Sequence, residues 1–172
     1  MIIILDASTL INLVNGEILS RAFRLPSVRF LVSGMVVDEA KTISEVVNEA
    51  VATGWLDLVD GDMIAMSTFT KAKKEMNLGD GETESILAAE LIPCHFACDD
   101  RAARKFAKAR LGFSRVTGSI GLLQQAVSAS ILLPEDASAA HKMMIAHGGY
   151  LPSLESNYFE AFVTSDSLGS KA

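Results

Sequence analysis

Residues 1–6, with the sequence MIIILD, decide how the rest of the chain is interpreted. A continuous run of isoleucine and leucine is typical of a strand that is buried on both faces of a parallel sheet. Asp6 follows this run directly, so it would lie at the carboxyl end of the strand. Open parallel sheets place their active sites at that edge. The stretch therefore predicts a fold class together with one candidate site residue.

Predicted strands and helices alternate along the remaining sequence. Strands are expected at residues 2–5, 30–32, 55–59, 94–98 and 114–116. Helices are expected from Ser8 or Thr9, after Ser33 as a cap, from Ser44, over 62–76 and 82–91, after Asp100, and as a final pair or trio beyond residue 121. Repeated strand and helix with short connections indicates a three-layer α/β/α sandwich around a central parallel sheet.

The length and composition fit one domain. The chain has 172 residues, of which 49% are apolar, and we expect a single domain over 1–163 that includes the C-terminal helices. Residues 164–172 are small and polar, and we expect a disordered tail. The mean hydropathy of +0.31 is high for a chain with no membrane segment, which favours a homodimer that covers apolar surface. We expect a cytosolic protein whose Cys94 and Cys98 stay unpaired.

Charge is distributed unevenly. The net charge of −6 argues against tight non-specific nucleic-acid binding by the protein as a whole. The window 101–115 nevertheless holds six basic residues and no acidic one: Arg101, Arg104, Lys105, Lys108, Arg110 and Arg115. Apolar residues recur there at helical spacing, so the basic residues form the outer face of an amphipathic helix. That face is either simply solvated or binds phosphate groups.

Five acidic residues follow the ends of predicted strands or begin the helices beyond them: Asp6, Glu39, Glu82, Asp99 and Asp100. In a right-handed parallel sheet all of them fall on one edge. Carboxylates that face one another cannot all stay ionised without a cation, and an oxygen-only cluster is what Mg²⁺ or Mn²⁺ prefers. The predicted chemistry is phosphodiester hydrolysis assisted by one or two divalent ions.

Each acidic residue also has a purely structural interpretation. Glu82 lies in the first turn of a helix, where acids are favoured by the helix dipole. Asp6, and either Asp99 or Asp100, could cap the helices that follow them. Helical geometry also requires that one of Asp38 and Glu39 points outward.

Five segments carry a resemblance to a known family: LDASTLI (5–11), VVDE (36–39), GETESI (81–86), CDDRAAR (98–104) and TGSIGLL (117–123). In this order they resemble the motifs of PIN-domain nucleases, over roughly residues 2–133. The resemblance implies that Asp6, Glu39 and Glu82 are metal ligands and that Ser8 supports Asp6. The doubled aspartate leaves the last ligand open, and its place at the strand end favours Asp99 over Asp100.

The same resemblance implies a function. Members cleave RNA with Mg²⁺ or Mn²⁺ and are frequently homodimers, and many of this size are VapC-type toxins held by a small antitoxin. We therefore expect a ribonuclease, with Arg101 and Arg104 on the RNA backbone. The alternatives are a PIN-type RNA-processing nuclease or a PIN-like module that binds nucleic acid or protein without catalysis.

Three other classes of protein are less compatible with the sequence. A phosphatase of the haloacid-dehalogenase type needs a second aspartate two residues after the first, where this chain has Ser8. A receiver domain needs paired acids by the first strand and a lysine on a late strand. A soft-metal site at Cys94, His95 and Cys98 would have only three ligands, divided between the two faces of a strand.

Overall fold

The computed structural model describes residues 1–163, and the expected disordered tail, 164–172, lies outside the described residues. Five parallel strands form one sheet: β1 (Ile2–Leu5), β2 (Arg29–Val32), β3 (Leu56–Leu58), β4 (His95–Ala97) and β5 (Val116–Thr117). Their spatial order is β3-β2-β1-β4-β5. The chain thus builds one half of the sheet outward from β1, then returns to build the other half, and the strand order reverses between β1 and β4.

Helices cover both faces of this sheet. They are α1 (Ala7–Asn15), α2 (Leu19–Ala22), α3 (Gly34–Glu39), α4 (Ser44–Ala52), α5 (Met66–Met76), α6 (Asp80–Leu91), α7 (Arg101–Leu111), α8 (Ser119–Ser128) and α9 (Pro134–Ala146). Short 3₁₀ turns occupy Lys41–Ile43, Gly61–Met63, Phe113–Arg115 and Tyr158–Phe162. Within the described chain, none of these helices combines the length and apolar character that crossing a bilayer requires.

The central strand β1 is buried on both faces, as its composition predicts. Ile3 and Leu5 belong to the core under α1, α4, α8 and α9, whereas Ile4 belongs to the core under α5, α6 and α7. All three side chains are fully buried. Because successive residues of a strand alternate between its faces, an uninterrupted apolar run is what two separate cores require. The α/β/α sandwich expected from the sequence is confirmed.

Two local expectations were wrong. The helical spacing over 62–76 predicted one helix, but a 3₁₀ turn at Gly61–Met63 comes first and α5 begins only at Met66. The strand expected at 114–116 is shifted, since Phe113–Arg115 form a 3₁₀ turn and pairing starts at Val116. The four-residue helix α2 gave no periodic signal that sequence reasoning could detect. Ser33 does cap α3, with its Oγ accepting from the Val36 N–H at 3.3 Å.

The importance of the sheet core can be tested with two phenylalanines. Phe96 on β4 is 0% exposed, whereas Phe113 after α7 is 78% exposed. Truncating a buried phenylalanine removes its contacts and leaves a cavity, so we expect Phe96→Ala to lower the free energy of unfolding by about 3–5 kcal/mol. Phe113→Ala should change it by less than about 0.5 kcal/mol. Equal losses in urea titrations of the two variants would contradict this assignment of the core.

Candidate metal centre

Asp6 lies at the carboxyl end of β1, where the strand order reverses. Its side chain is only 2% exposed. The Oδ2 atom accepts from the Ser8 N–H at 3.2 Å and from Ser8 Oγ at 2.7 Å, which makes Asp6 the N-cap of α1. The Oδ1 atom, by contrast, is buried and has no hydrogen-bond partner, and it is the one such side-chain oxygen or nitrogen within residues 1–163.

Two further carboxylates are held beside Asp6 by the N-terminal turn of α6. Glu82 Oε2 accepts from the Gly79 N–H at 2.8 Å, and Glu39 Oε1 accepts from the Gly81 N–H at 2.9 Å. The close approach of Glu39 requires a glycine, because a Cβ on Gly81 would lie 2.6 Å from Glu39 Oε2. The backbone of this turn therefore brings acidic residues from α3 and α6 together.

The two aspartates after β4 have different surroundings. Asp100 is exposed and caps α7, with Oδ1 accepting from the Ala103 N–H at 2.8 Å. Its charge also acts on Glu82: the pKa of Glu82 is raised first by burial, then by the carboxylates of Asp6, Asp100 and Glu39. Asp100 thus belongs electrostatically to the group formed by Asp6, Glu39 and Glu82. We call these four residues the acid cluster.

Asp99 instead joins a network of hydrogen-bond donors. Its Oδ2 accepts from Asn12 Nδ2 at 2.9 Å, from Thr9 Oγ1 at 3.3 Å and from Ser119 Oγ. Its Oδ1 accepts from the Ser119 N–H at 3.0 Å. Both carboxylate oxygens are therefore occupied, and Asp99 ties α1 to the start of α8. A Cβ at Gly118 would lie 2.4 Å from Asp99 Oδ1, so this network also depends on a glycine.

Ser8 connects the two aspartates, in the supporting position that the sequence indicated. Its hydroxyl donates to Asp6 Oδ2 and accepts from the Asp99 N–H at 3.0 Å. The hydroxyl therefore fixes the rotamer of Asp6 against the backbone after β4. A side chain fixed in this way needs less reorganisation when a ligand binds.

Cys98 is a buried neighbour of Asp6. One ligand atom from each of Asp6, Glu82 and Cys98 lies within 4.8 Å of the other two. Cys94 and His95 do not join this group in the described part of the chain. The Cys98 thiol donates to Asp6 Oδ2 at 3.3 Å, and burial together with the Asp6 charge raises its pKa. It is therefore a thiol rather than a thiolate and acts as a donor to Asp6.

The acid cluster has the chemistry of a hard-cation site. Burial raises the pKa of Asp6, and no lysine, arginine or histidine of the described chain forms an ion pair with Asp6, Glu39, Glu82 or Asp100. An oxygen donor set without a basic partner fits Mg²⁺ or Mn²⁺, and the unsatisfied Oδ1 of Asp6 offers a ligand atom. The residues present therefore fit a divalent cation.

The two arginines expected on the RNA backbone lie at the start of α7 but differ in their contacts. Arg104 Nη1 donates to the carbonyls of Cys98, at 2.7 Å, and Thr117. It links β4 to β5, so part of its guanidinium is already used. Arg101 is exposed and makes no hydrogen bond or ion pair within residues 1–163. Of the pair, Arg101 is the one available to a phosphate.

The burial of Asp6 predicts an effect on stability. Because the folded-state pKa of Asp6 lies above its ordinary value of 3.8, the ionised form costs stability at neutral pH. Asparagine caps a helix as well as aspartate does and carries no charge. We expect metal-free Asp6→Asn to be the more stable protein, with a gain of about 1 kcal/mol raising Tm by roughly 2–4 °C.

The sign of this effect gives its pH dependence. As the pH falls through the raised pKa, Asp6 becomes protonated and the advantage of the variant should disappear. Thermal melts in EDTA from neutral pH down to mildly acidic pH measure the difference. A variant that is less stable than wild type throughout this range would mean that Asp6 is adequately solvated or paired.

The hydrogen bonds of Asp99 predict that Asp99→Asn lowers stability, in contrast to Asp6→Asn. In Asp99→Asn an amide N–H₂ would face a donor such as the Ser119 N–H, so at least one hydrogen bond is lost in a partly buried position. We expect a loss of about 1–3 kcal/mol. Asp100→Asn keeps the cap of α7 and should be close to neutral in the same metal-free melts. A larger loss of stability in Asp100→Asn than in Asp99→Asn would contradict these structural roles.

The chain was compared with known proteins. A family model described as a PIN domain matches residues 2–159, which is most of the chain. No curated protein and no solved structure gives a significant match. The matched segment contains all five strands and the whole acid cluster. This chain therefore belongs to the PIN-domain family, whose members are generally nucleases.

Proposed function

We propose that this PIN domain is a Mg²⁺- or Mn²⁺-dependent endoribonuclease that hydrolyses phosphodiester bonds in RNA. One observation carries the proposal. Asp6 combines a buried, unpartnered carboxylate oxygen with three neighbouring carboxylates and no basic partner in the described chain. Such a group costs stability unless a cation binds it, and positions of this kind are retained for function.

In this proposal the acid cluster holds the metal. Asp6, Glu39, Glu82 and Asp100 would supply oxygen ligands to one or two ions, with Asp100 preferred to Asp99 because the oxygens of Asp99 are already occupied. A bound divalent ion supplies Lewis-acid polarisation of the phosphate and lowers the pKa of water.

The chain's own residues contribute positioning. Ser8 and Cys98 both donate to Oδ2 of Asp6, which leaves Oδ1 free to face a ligand. The Gly79 and Gly81 N–H groups fix Glu82 and Glu39 in the same way. Arg101, at the start of α7, can offset the charge of a phosphate that approaches Asp100. Preorganised groups of this kind reduce the reorganisation needed during the reaction.

A toxin role, a small antitoxin partner and a homodimer are further proposals that rest on the resemblance to VapC-type toxins. One feature is compatible with a protein partner: an apolar groove of about 410 Å³ lies beside α4, with Trp55 and Val46 on its rim. A small gene directly upstream, together with the mass of the protein in solution, would separate a toxin from an RNA-processing nuclease.

The experiment is cleavage of a labelled single-stranded RNA by purified protein in Mg²⁺ or Mn²⁺. We expect cutting that EDTA abolishes and that Asp6→Asn reduces by a factor of about 100 or more, because loss of a metal ligand removes the polarising charge. Glu39→Gln should also cut poorly. The matched control is Asp38→Asn, since Asp38 is its exposed neighbour and its side chain makes no hydrogen bond or ion pair within residues 1–163.

Calorimetry with Mg²⁺ and Mn²⁺ separates the possible failures. If the wild type binds metal and Asp6→Asn does not, but the wild type cuts none of several RNAs, the metal site is supported and the ribonuclease activity is contradicted. Absence of both metal binding and cutting would favour the non-catalytic binding module.

A further inference from the structure

A groove leads away from the acid cluster along α7. Its floor is the exposed side of α7, and its opposite wall is the segment 150–152 that follows α9. The space measures about 1010 Å³, and Asp100, a member of the acid cluster, is one of its lining residues. We propose that this groove binds single-stranded RNA, with bases stacked on Phe113 and Tyr150 and phosphates on Arg101, Lys105 and Lys108, an inference that rests on the proposed ribonuclease function.

The basic side of the groove is a row of three residues. Arg101, Lys105 and Lys108 occupy positions i, i+4 and i+7 of α7, which lie on one face of a helix. At 1.5 Å per residue the row extends over about 10 Å, roughly three steps of a stacked strand at 3.4 Å each. The groove therefore offers three cations to a stretch of about four successive phosphates.

These cations have no acidic ion-pair partner in the part of the chain that the structure describes. None of the three forms an ion pair within residues 1–163. Arg110, which lies on another side of the same helix, is paired with Glu90 at 3.1 Å. Glu90 on α6 thus pairs with Arg110, whereas Arg101, Lys105 and Lys108 in the groove have no ion-pair partner within residues 1–163. An uncompensated row of this kind attracts a polyanion.

Two aromatic rings are presented beside this row. Tyr150 is 99% exposed and Phe113 is 78% exposed, and neither ring packs against another aromatic ring of the described chain. Lys108 Nζ lies 5.4 Å from the centre of the Phe113 ring. Tyr150 also borders two hollows, of about 380 and 250 Å³, that both reach Asp99. The Tyr150 ring therefore lies at the end of the groove that contains Asp99.

The wall that carries Tyr150 is anchored on both sides of the exposed ring. The Gly149 N–H donates to the Met144 carbonyl at 2.8 Å, and the Leu151 N–H donates to the Gly149 carbonyl at 3.0 Å. The buried His141 donates from Nε2 to the Pro152 carbonyl at 3.0 Å. The backbone is thus fixed while the tyrosine ring projects into solvent. A fixed and exposed ring is a preorganised surface for stacking.

Stacking on these rings selects unpaired bases. The faces of paired bases are covered by their neighbours in a duplex, whereas bases of a single strand can turn toward an aromatic ring. Stacking accepts any base, because every base has an aromatic face, so the groove would favour single strands without selecting a sequence.

The test is equilibrium binding in EDTA, where no cleavage occurs, measured by fluorescence anisotropy. The probes are a short fluorescein-labelled oligouridylate and a labelled RNA duplex of the same length. We expect Tyr150→Ala and Phe113→Ala each to weaken single-strand binding about 5- to 100-fold without changing the salt dependence. Tyr150→Phe, which keeps the ring, should bind within about 2-fold of wild type, and duplex binding should not respond to any of the three.

The lysine row has its own measurement. Lys105→Ala should reduce the slope of log affinity against log salt by about 0.7, the value for one phosphate contact on a single strand. Lys74→Ala, an exposed lysine on α5 away from the groove, is the matched control and should leave the slope unchanged. All variants alter exposed side chains, and their far-ultraviolet spectra should match wild type.

The outcomes separate this inference from the ribonuclease proposal. If neither Tyr150→Ala nor Phe113→Ala weakens binding, or if the duplex binds more tightly than the single strand, the groove does not bind RNA as proposed, even if the wild type cuts RNA. If the variants lose binding while the wild type fails to cut RNA in Mg²⁺, RNA binding in the groove is supported and the proposed ribonuclease activity is contradicted. Binding of a protein partner at Tyr150 with RNA affinity unchanged would also overturn the inference.

Discussion

The burial of one carboxylate at the centre of the sheet is the constraint on which the site depends. Asp6 lies where the strand order reverses, between β1 and β4, and water reaches almost none of it. The donors from Ser8 and Cys98 act on Oδ2, and Oδ1 is left without a hydrogen-bond partner. An unfilled acceptor inside a core costs free energy. Within residues 1–163 this is the one buried side-chain oxygen or nitrogen without a partner, and a bound cation would offset the cost.

Hydrogen bonds on two sides of Asp6 hold the other acidic residues of the site in place. Backbone N–H groups at the N-terminus of α6 hold Glu39 and Glu82, and glycine at position 81 lets Glu39 approach. Asp99 connects α1 and α8 on the other side, so that Asp100 follows at a fixed position at the start of α7. The two adjacent aspartates therefore differ: Asp99 holds α1 and α8 together, and Asp100 belongs to the acid cluster.

Much of this arrangement could be predicted from the sequence, because it follows from patterns along the chain. The apolar run before Asp6 predicted a central strand, and the place of each acid after a strand predicted one shared edge. The different roles of Asp99 and Asp100 could not be predicted, because the donors on Asp99 come from α1 and α8, far away in sequence. The structural role of Arg104 could not be predicted either, because it depends on contacts with the carbonyls of Cys98 and Thr117. The exposure of Tyr150 could not be predicted because it depends on the packing of the folded chain around it.

The order of the strands also governs when the site can exist during synthesis. Asp6 and Cys98 are 92 positions apart, and Asp100 reaches the acid cluster only after β4 has paired beside β1. Long-range pairing of this kind comes late in folding, because a large loop must close first. A nascent chain that has completed only β1, β2 and β3 carries Asp6 and Glu39 without Glu82 or Asp100. The four carboxylates of the acid cluster are therefore together only after the second half of the sheet has been synthesised and has paired with the first half.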